Sequence, residues 1–171
     1  MKKLLTILST AALALFVSAV VMAVEDTASS SVTITFSEIA VVDVSGNPGT
    51  ITIAAPSAGG DLPADASDNS TTMSWTSNVS GITSRKISGS LDVLFSGIDL
   101  YATVAAPGSD DGVSAGELKF TAAATAYDYV TGIKNCNVSA QTITFRASVT
   151  GMVAPYTSTS QTITWTLTAA V

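Results

Sequence analysis

Apolar residues recur at every second position along most of this chain, with threonine or serine filling the places between them. Val32, Ile34 and Phe36 alternate in this way over residues 31–36, and a second extended segment follows at 39–44. Ile51 and Ile53 continue the pattern at 50–54, Met73 and Trp75 at 71–77, and Ile87, Gly89, Leu91 and Val93 at 85–93. Leu100, Ala102 and Val104 follow at 99–105, then Leu118, Phe120 and Ala122 at 117–123. The clearest runs come last: Ile143, Phe145, Ala147 and Val149, then Ile163, Trp165 and Leu167. A period of two describes a strand with one buried face. Threonine suits the other face, because its branched β-carbon prefers the pleated backbone while its hydroxyl meets water. Turn chemistry separates the runs: Ser45-Gly46-Asn47-Pro48-Gly49 is a tight turn, and loops are expected at 56–69, 107–116 and 151–160. Roughly eight or nine strands at this spacing predict an all-β, antiparallel β-sandwich with Greek-key-like connections. Only residues 122–129 offer room for a short helix or turn.

The first 23 residues stand apart. Met1-Lys2-Lys3 is a short basic start, Leu4 to Val21 is apolar, and Val21-Met22-Ala23 ends in a small residue. This is the form of a bacterial-type signal peptide, cleaved during export, and Thr6, Ser9, Thr10 and Ser18 weaken the rival reading of a membrane anchor. The expected organisation is a signal peptide at 1–23, a flexible polar leash at 24–31 and one sandwich domain at 32–171. The expected location is secreted, extracellular or cell-surface, with no stable membrane span after cleavage. Removing Lys2 and Lys3 from the seven basic residues leaves five against 13 acidic ones, a net charge of −8. Such a surface repels nucleic acid, which is not an expected partner. The single cysteine, Cys136, lies between Asn135 and Asn137 in what reads as a loop, and a small buried hydrophobe is the favoured reading of it.

Chemistry-bearing groups are sparse. The chain has no histidine, so no Ser-His-Asp or Cys-His device can form and no imidazole can bind a metal. Asp61, Asp65, Asp68 and Asn69 crowd one loop; Asp110, Asp111 and Glu117 crowd another and are weak calcium candidates. Calcium takes six to eight oxygens. The alternating spacing of an EF-hand is missing, so solvated loop carboxylates are favoured and no metal or cofactor is expected. Asp92, Asp99 and Asp128 would serve a glycosidase only if two of them faced one cleft. No enzyme is expected. Glu38 and Asp43 fit an edge strand guarded by charge, with Arg85, Lys86 and Arg146 as natural ion-pair partners. Trp75 and Trp165 sit within alternating runs and read as core, while Tyr127, Tyr129 and Tyr156 are candidates for an exposed, glycan-stacking patch.

The most telling segment follows the leader. A polar leash carries the alternating Val32, Ile34 and Phe36, and such a strand can complete the sandwich of a neighbouring subunit by donor-strand addition. Repeated head to tail, that contact builds a filament. The same residues could instead form the first strand of their own domain.

The stretch Thr33-Ile34-Thr35-Phe36-Ser37-Glu38-Ile39-Ala40-Val41-Val42-Asp43-Val44, the Trp75-Thr76-Ser77 strand and the Thr131-Gly132-Ile133 turn resemble secreted bacterial β-sandwich proteins. More loosely, the chain is similar to disulfide-free fimbrial, pilin-like major subunits, which implies an immunoglobulin-like or pilin-like sandwich. It departs from the chaperone–usher pattern at its end, Trp165-Thr166-Leu167-Thr168-Ala169-Ala170-Val171, which lacks the penultimate tyrosine. The resemblance carries over no functional residues. The expectation is a secreted structural protein that self-associates into a homopolymer, with Val32, Ile34 and Phe36 at the subunit interface. The alternative is a monomeric carbohydrate-binding or adhesin module with a glycan ligand.

Overall fold

The computed structural model describes residues 29–79, 84–155 and 160–170. The expected leader and Tyr156 lie outside them. The chain divides into two units, Met1–Thr35 and Phe36–Val171. Within the first, residues 29–35 carry neither helix nor strand.

Among the described residues, the second unit is all-β apart from one 3₁₀ turn, Ser109–Asp111. Its strands are β1 (Ile39–Ser45), β2 (Ala66–Asn78), β3 (Arg85–Leu91), β4 (Ile98–Val104), β5 (Val113–Ser114), β6 (Leu118–Lys119), β7 (Ala126–Ile133), β8 (Cys136–Val149) and β9 (Ile163–Ala169). They form a five-stranded sheet in the order β1-β2-β8-β4-β6 and a four-stranded sheet in the order β5-β7-β3-β9. Every pairing is antiparallel. The expected two-sheet antiparallel architecture is therefore present. Among the described residues no helix is long and apolar enough to cross a membrane.

The core forms where the alternating stripes of both sheets meet. Met73 and Trp75 from β2, Leu100, Ala102 and Val104 from β4, and Ile143 and Phe145 from β8 are buried on one side of it. Ile87 and Leu91 from β3 and Tyr129, Val130 and Ile133 from β7 are buried on the other. Trp75 is fixed at both ends of its indole: the ring is buried, and Nε1–H donates to the Asp111 carbonyl at 3.0 Å. Phe120, Tyr129 and Trp165 form an aromatic row, with centroids 5.8 Å apart for the first pair and 5.1 Å for the second. Gly89 is opposite Trp165 in the β3–β9 ladder, and a β-carbon there would stand 2.6 Å from the indole. The absence of a side chain lets the ring lie flat over β3.

Several expected elements differ. Residues 31–36 and 50–54 alternate but form no strand, since neither finds a backbone partner among the described residues. β2 begins at Ala66, inside the expected loop, and bends through register shifts between Asp68 and Thr71 and between Met73 and Trp75. Residues 126–129 belong to β7, where a helix or turn is expected from the sequence. Cys136 opens β8 and pairs with Ser77, so it stands in a strand and not a loop. It is half-buried, and burial pushes its thiol pKa up.

Candidate assembly site

Two features meet the requirements of strand addition: an unpaired alternating segment and an unguarded sheet edge. Val32, Ile34 and Phe36 are exposed by 81%, 86% and 78%. Fastening to the sandwich begins just after them. Asn78 Nδ2 donates to the Ser37 carbonyl at 2.9 Å, the Ile39 N–H donates to Asn78 Oδ1, and Glu38 pairs with Arg85. Arg85 is in turn opposite Ala169 in the β3–β9 ladder, so the chain enters the sandwich at the end where β9 leaves it.

β9 lies at the edge of the four-stranded sheet and bonds only to β3 among the described strands. The Ala170 N–H donates to the Ser84 carbonyl at 2.8 Å and the Asp92 N–H to the Thr162 carbonyl at 3.0 Å. Bonded pairs recur every second residue in an antiparallel ladder. Thr164, Thr166 and Thr168 therefore bond to β3, and Ile163, Trp165, Leu167 and Ala169 turn their N–H and C=O groups toward the free edge. The side chains of Ile163, Trp165 and Leu167 are half-buried and pack against the core, while the threonines face out. Soluble proteins guard such edges with charge, proline or a bulge. β9 has none of these: its sequence is Ile-Thr-Trp-Thr-Leu-Thr-Ala and its register with β3 runs unbroken. β1, the edge of the other sheet, approaches β9 to within 8 Å between Cα atoms without bonding to it. It carries the exposed Asp43, in keeping with a charge-guarded edge.

Comparison with protein-family models, curated proteins and solved structures finds no match for this chain. The site must be read from its own residues.

The remaining candidates are dispersed or engaged. Asp110 pairs with Lys134 at 2.9 Å, and Glu117 accepts from Arg146 Nη2 at 2.6 Å, so two of the three calcium candidates are drawn to different cations. No group of three or more metal-binding side chains gathers among the described residues. Arg146 also pairs with Asp65 and lies 3.9 Å over the Tyr101 ring, bridging the two acidic loops. Its guanidinium pKa is pushed up, first by the hydrogen bond to Glu117. Tyr129, expected on the surface, is wholly buried, and the Tyr127 hydroxyl accepts from the Thr121 and Ala122 N–H groups. Both rings instead contact Phe120, Tyr127 in a T-shaped pair with centroids 5.9 Å apart. Trp165 is only half-buried, at the free edge. Alternation marks Ile163, Trp165 and Leu167 as a strand but does not mark that strand as an edge. The available signal is the run of seven strand residues without charge, glycine or proline.

Asp128 sits on the outer face of the four-stranded sheet, in a shallow depression lined by Lys86, Ser88, Ser90, Thr164 and Thr166. The Ser88 hydroxyl, at 2.6 Å, and Lys86 Nζ, at 2.9 Å, hold its carboxyl below the usual aspartate range. A depressed pKa contributes stability above the unfolded value near pH 4, and that contribution is lost as pH falls through the folded value. The side chain is 41% exposed, so solvent screening limits the gain to about 1 kcal/mol or less. Urea unfolding should find Asp128→Ala less stable than wild type at pH 6, with the gap closing by about pH 2. An unchanged gap across that range would assign the effect to packing.

Proposed function

We propose that this chain is a structural subunit of an extracellular, fimbria-like homopolymer, each copy donating its N-terminal strand to the next. One observation carries the reading: three large apolar side chains, at strand spacing and roughly four-fifths exposed, stand immediately before the first fastened residue of the sandwich. Full burial of side chains of this size is worth about 1.5–3 kcal/mol each. A soluble chain does not leave such a stripe in water without a partner surface. A donated strand meets the need, since backbone hydrogen bonds supply affinity and alternate side chains supply fit. The contact joins two different surfaces, so repetition gives an open filament. The leader-like start of the sequence, its acidic balance and its lack of histidine accord with an exported structural role. The glycan-binding alternative is weakened by the burial of Tyr129 and the engagement of Tyr127.

Negative-stain electron microscopy of the chain expressed from Met1 and concentrated tests the reading. Wild type should form regular filaments. The triple variant Val32→Ser, Ile34→Ser, Phe36→Ser should form none, yet its free energy of unfolding in urea should match wild type within about 0.5 kcal/mol, as befits exposed positions. Single particles from both proteins, or filaments from both, would overturn it.

A further inference from the structure

Resting on the donor-strand reading, we infer that the acceptor is the free edge of β9, which takes residues Val32–Phe36 of a second copy. β9 supplies what a new strand needs. Ile163, Trp165, Leu167 and Ala169 turn outward backbone groups that find no strand partner among the described residues, and their strand has no charge, proline or bulge to repel pairing. The edge of β1 carries Asp43, and the short β6 edge carries Lys119 with Glu117 just before it. The occupant is named by matching pattern and charge. Val32-Thr33-Ile34-Thr35-Phe36 and Ile163-Thr164-Trp165-Thr166-Leu167 share one apolar–threonine alternation and hold no charged residue. Laid side by side, Val32, Ile34 and Phe36 extend the half-buried apolar row of β9, and Thr33 and Thr35 extend its outer row of threonines. Cross-strand pairs of both kinds are favourable.

A second copy fits this edge better than the chain's own segment. Only Ser37 and Glu38 separate Phe36 from Ile39, where β1 begins, and both are already held, by Asn78 and Arg85. Reversing the chain between Phe36 and Ile39 would need a turn, and residues 37–38 form none. Between copies there is no such constraint, and the entry of the chain at the end where β9 leaves suits head-to-tail addition.

Cysteine cross-linking in the whole chain tests the assignment, with Cys136→Ala as background. Thr33→Cys is combined in turn with Thr164→Cys, Thr166→Cys or Thr168→Cys on β9, and with Asp43→Cys on β1. Opposed residues in paired strands come close enough for a disulfide. Oxidation should give a ladder of covalent multimers on denaturing gels from at least one β9 pair and none from the β1 pair. A ladder from the β1 pair alone would overturn β9 as acceptor while leaving strand donation intact. A disulfide closing within single chains, or no ladder from any pair together with filaments unaffected by the triple serine variant, would overturn donation itself.

Discussion

Trp75→Ala is expected to lower the free energy of unfolding by about 3–5 kcal/mol, the range for truncating a buried aromatic side chain. Trp75 stands in β2, the strand between β1 and β8, and is almost wholly buried. The loss has two parts. Removing the ring leaves a cavity that Val130, Ile133 and the 3₁₀ turn cannot fill without moving, and the carbonyl of Asp111 loses its donor. Native stabilities are commonly about 5–15 kcal/mol, so this one change removes a large share. Chemical unfolding monitored by the fluorescence of the remaining Trp165 gives the number. Trp75→Phe should cost less, because it retains most of the ring volume. If Trp75→Ala cost under about 1 kcal/mol, the tryptophan would not be a keystone of the core.

The second large effect concerns the smallest residue in the sheet. Gly89→Ala places a methyl 2.6 Å and 2.9 Å from two carbons of the Trp165 ring, closer than packed atoms come, so the indole must move. Overpacking of this kind costs about 1–3 kcal/mol. The ring also packs edge-to-face on Tyr129 at a centroid distance of 5.1 Å, which restricts its room to move. The cost should therefore fall sharply when the ring is trimmed. Gly89→Ala combined with Trp165→Leu should be less destabilising than the two single changes added, by about 1 kcal/mol or more. Simple additivity would show that the clash is relieved elsewhere. If the proposed strand donation to β9 holds, the single Gly89→Ala variant should also assemble less well than its stability loss predicts, because the displaced indole would intrude on that edge.

Alternation gave the architecture wherever strands run straight. Ile87, Leu91, Leu100, Ala102, Val104, Ile143 and Phe145 are all read from the sequence as inward-facing and all are buried. It failed where the backbone bulges. β7 buries both Tyr129 and Val130, adjacent residues, because the β3–β7 register slips between Ile87 and Ser88; a period of two cannot report that, and the alanines before it imitate a turn or short helix. The start of β2 was hidden in the same way by the shift between Asp68 and Thr71. Alternation also says that a segment can be a strand without saying whose. Residues 31–36 and 163–167 look alike in sequence, yet among the described residues one finds no strand partner and the other is paired on one side only. Edge position depends on which strands are neighbours in space, and here neighbours such as β2 and β8, or β3 and β9, are far apart along the chain.

That last arrangement bears on the order of events at birth. β3 lies between β7 and β9, and its pairing with Ile163–Ala169 reaches from Leu91 back to Arg85. One flank of β3 thus stays bare until Ile163–Ala169 have been synthesised, and the same delay applies to the ring of Trp165 over Gly89. Topologies dominated by such distant pairings fold slowly, because the loop must close before any contact rewards it. A chain made from its N-terminus onward therefore holds an incomplete second sheet and reaches its native form only after β9 has been added. The fold delays its own completion until β9 is available to β3.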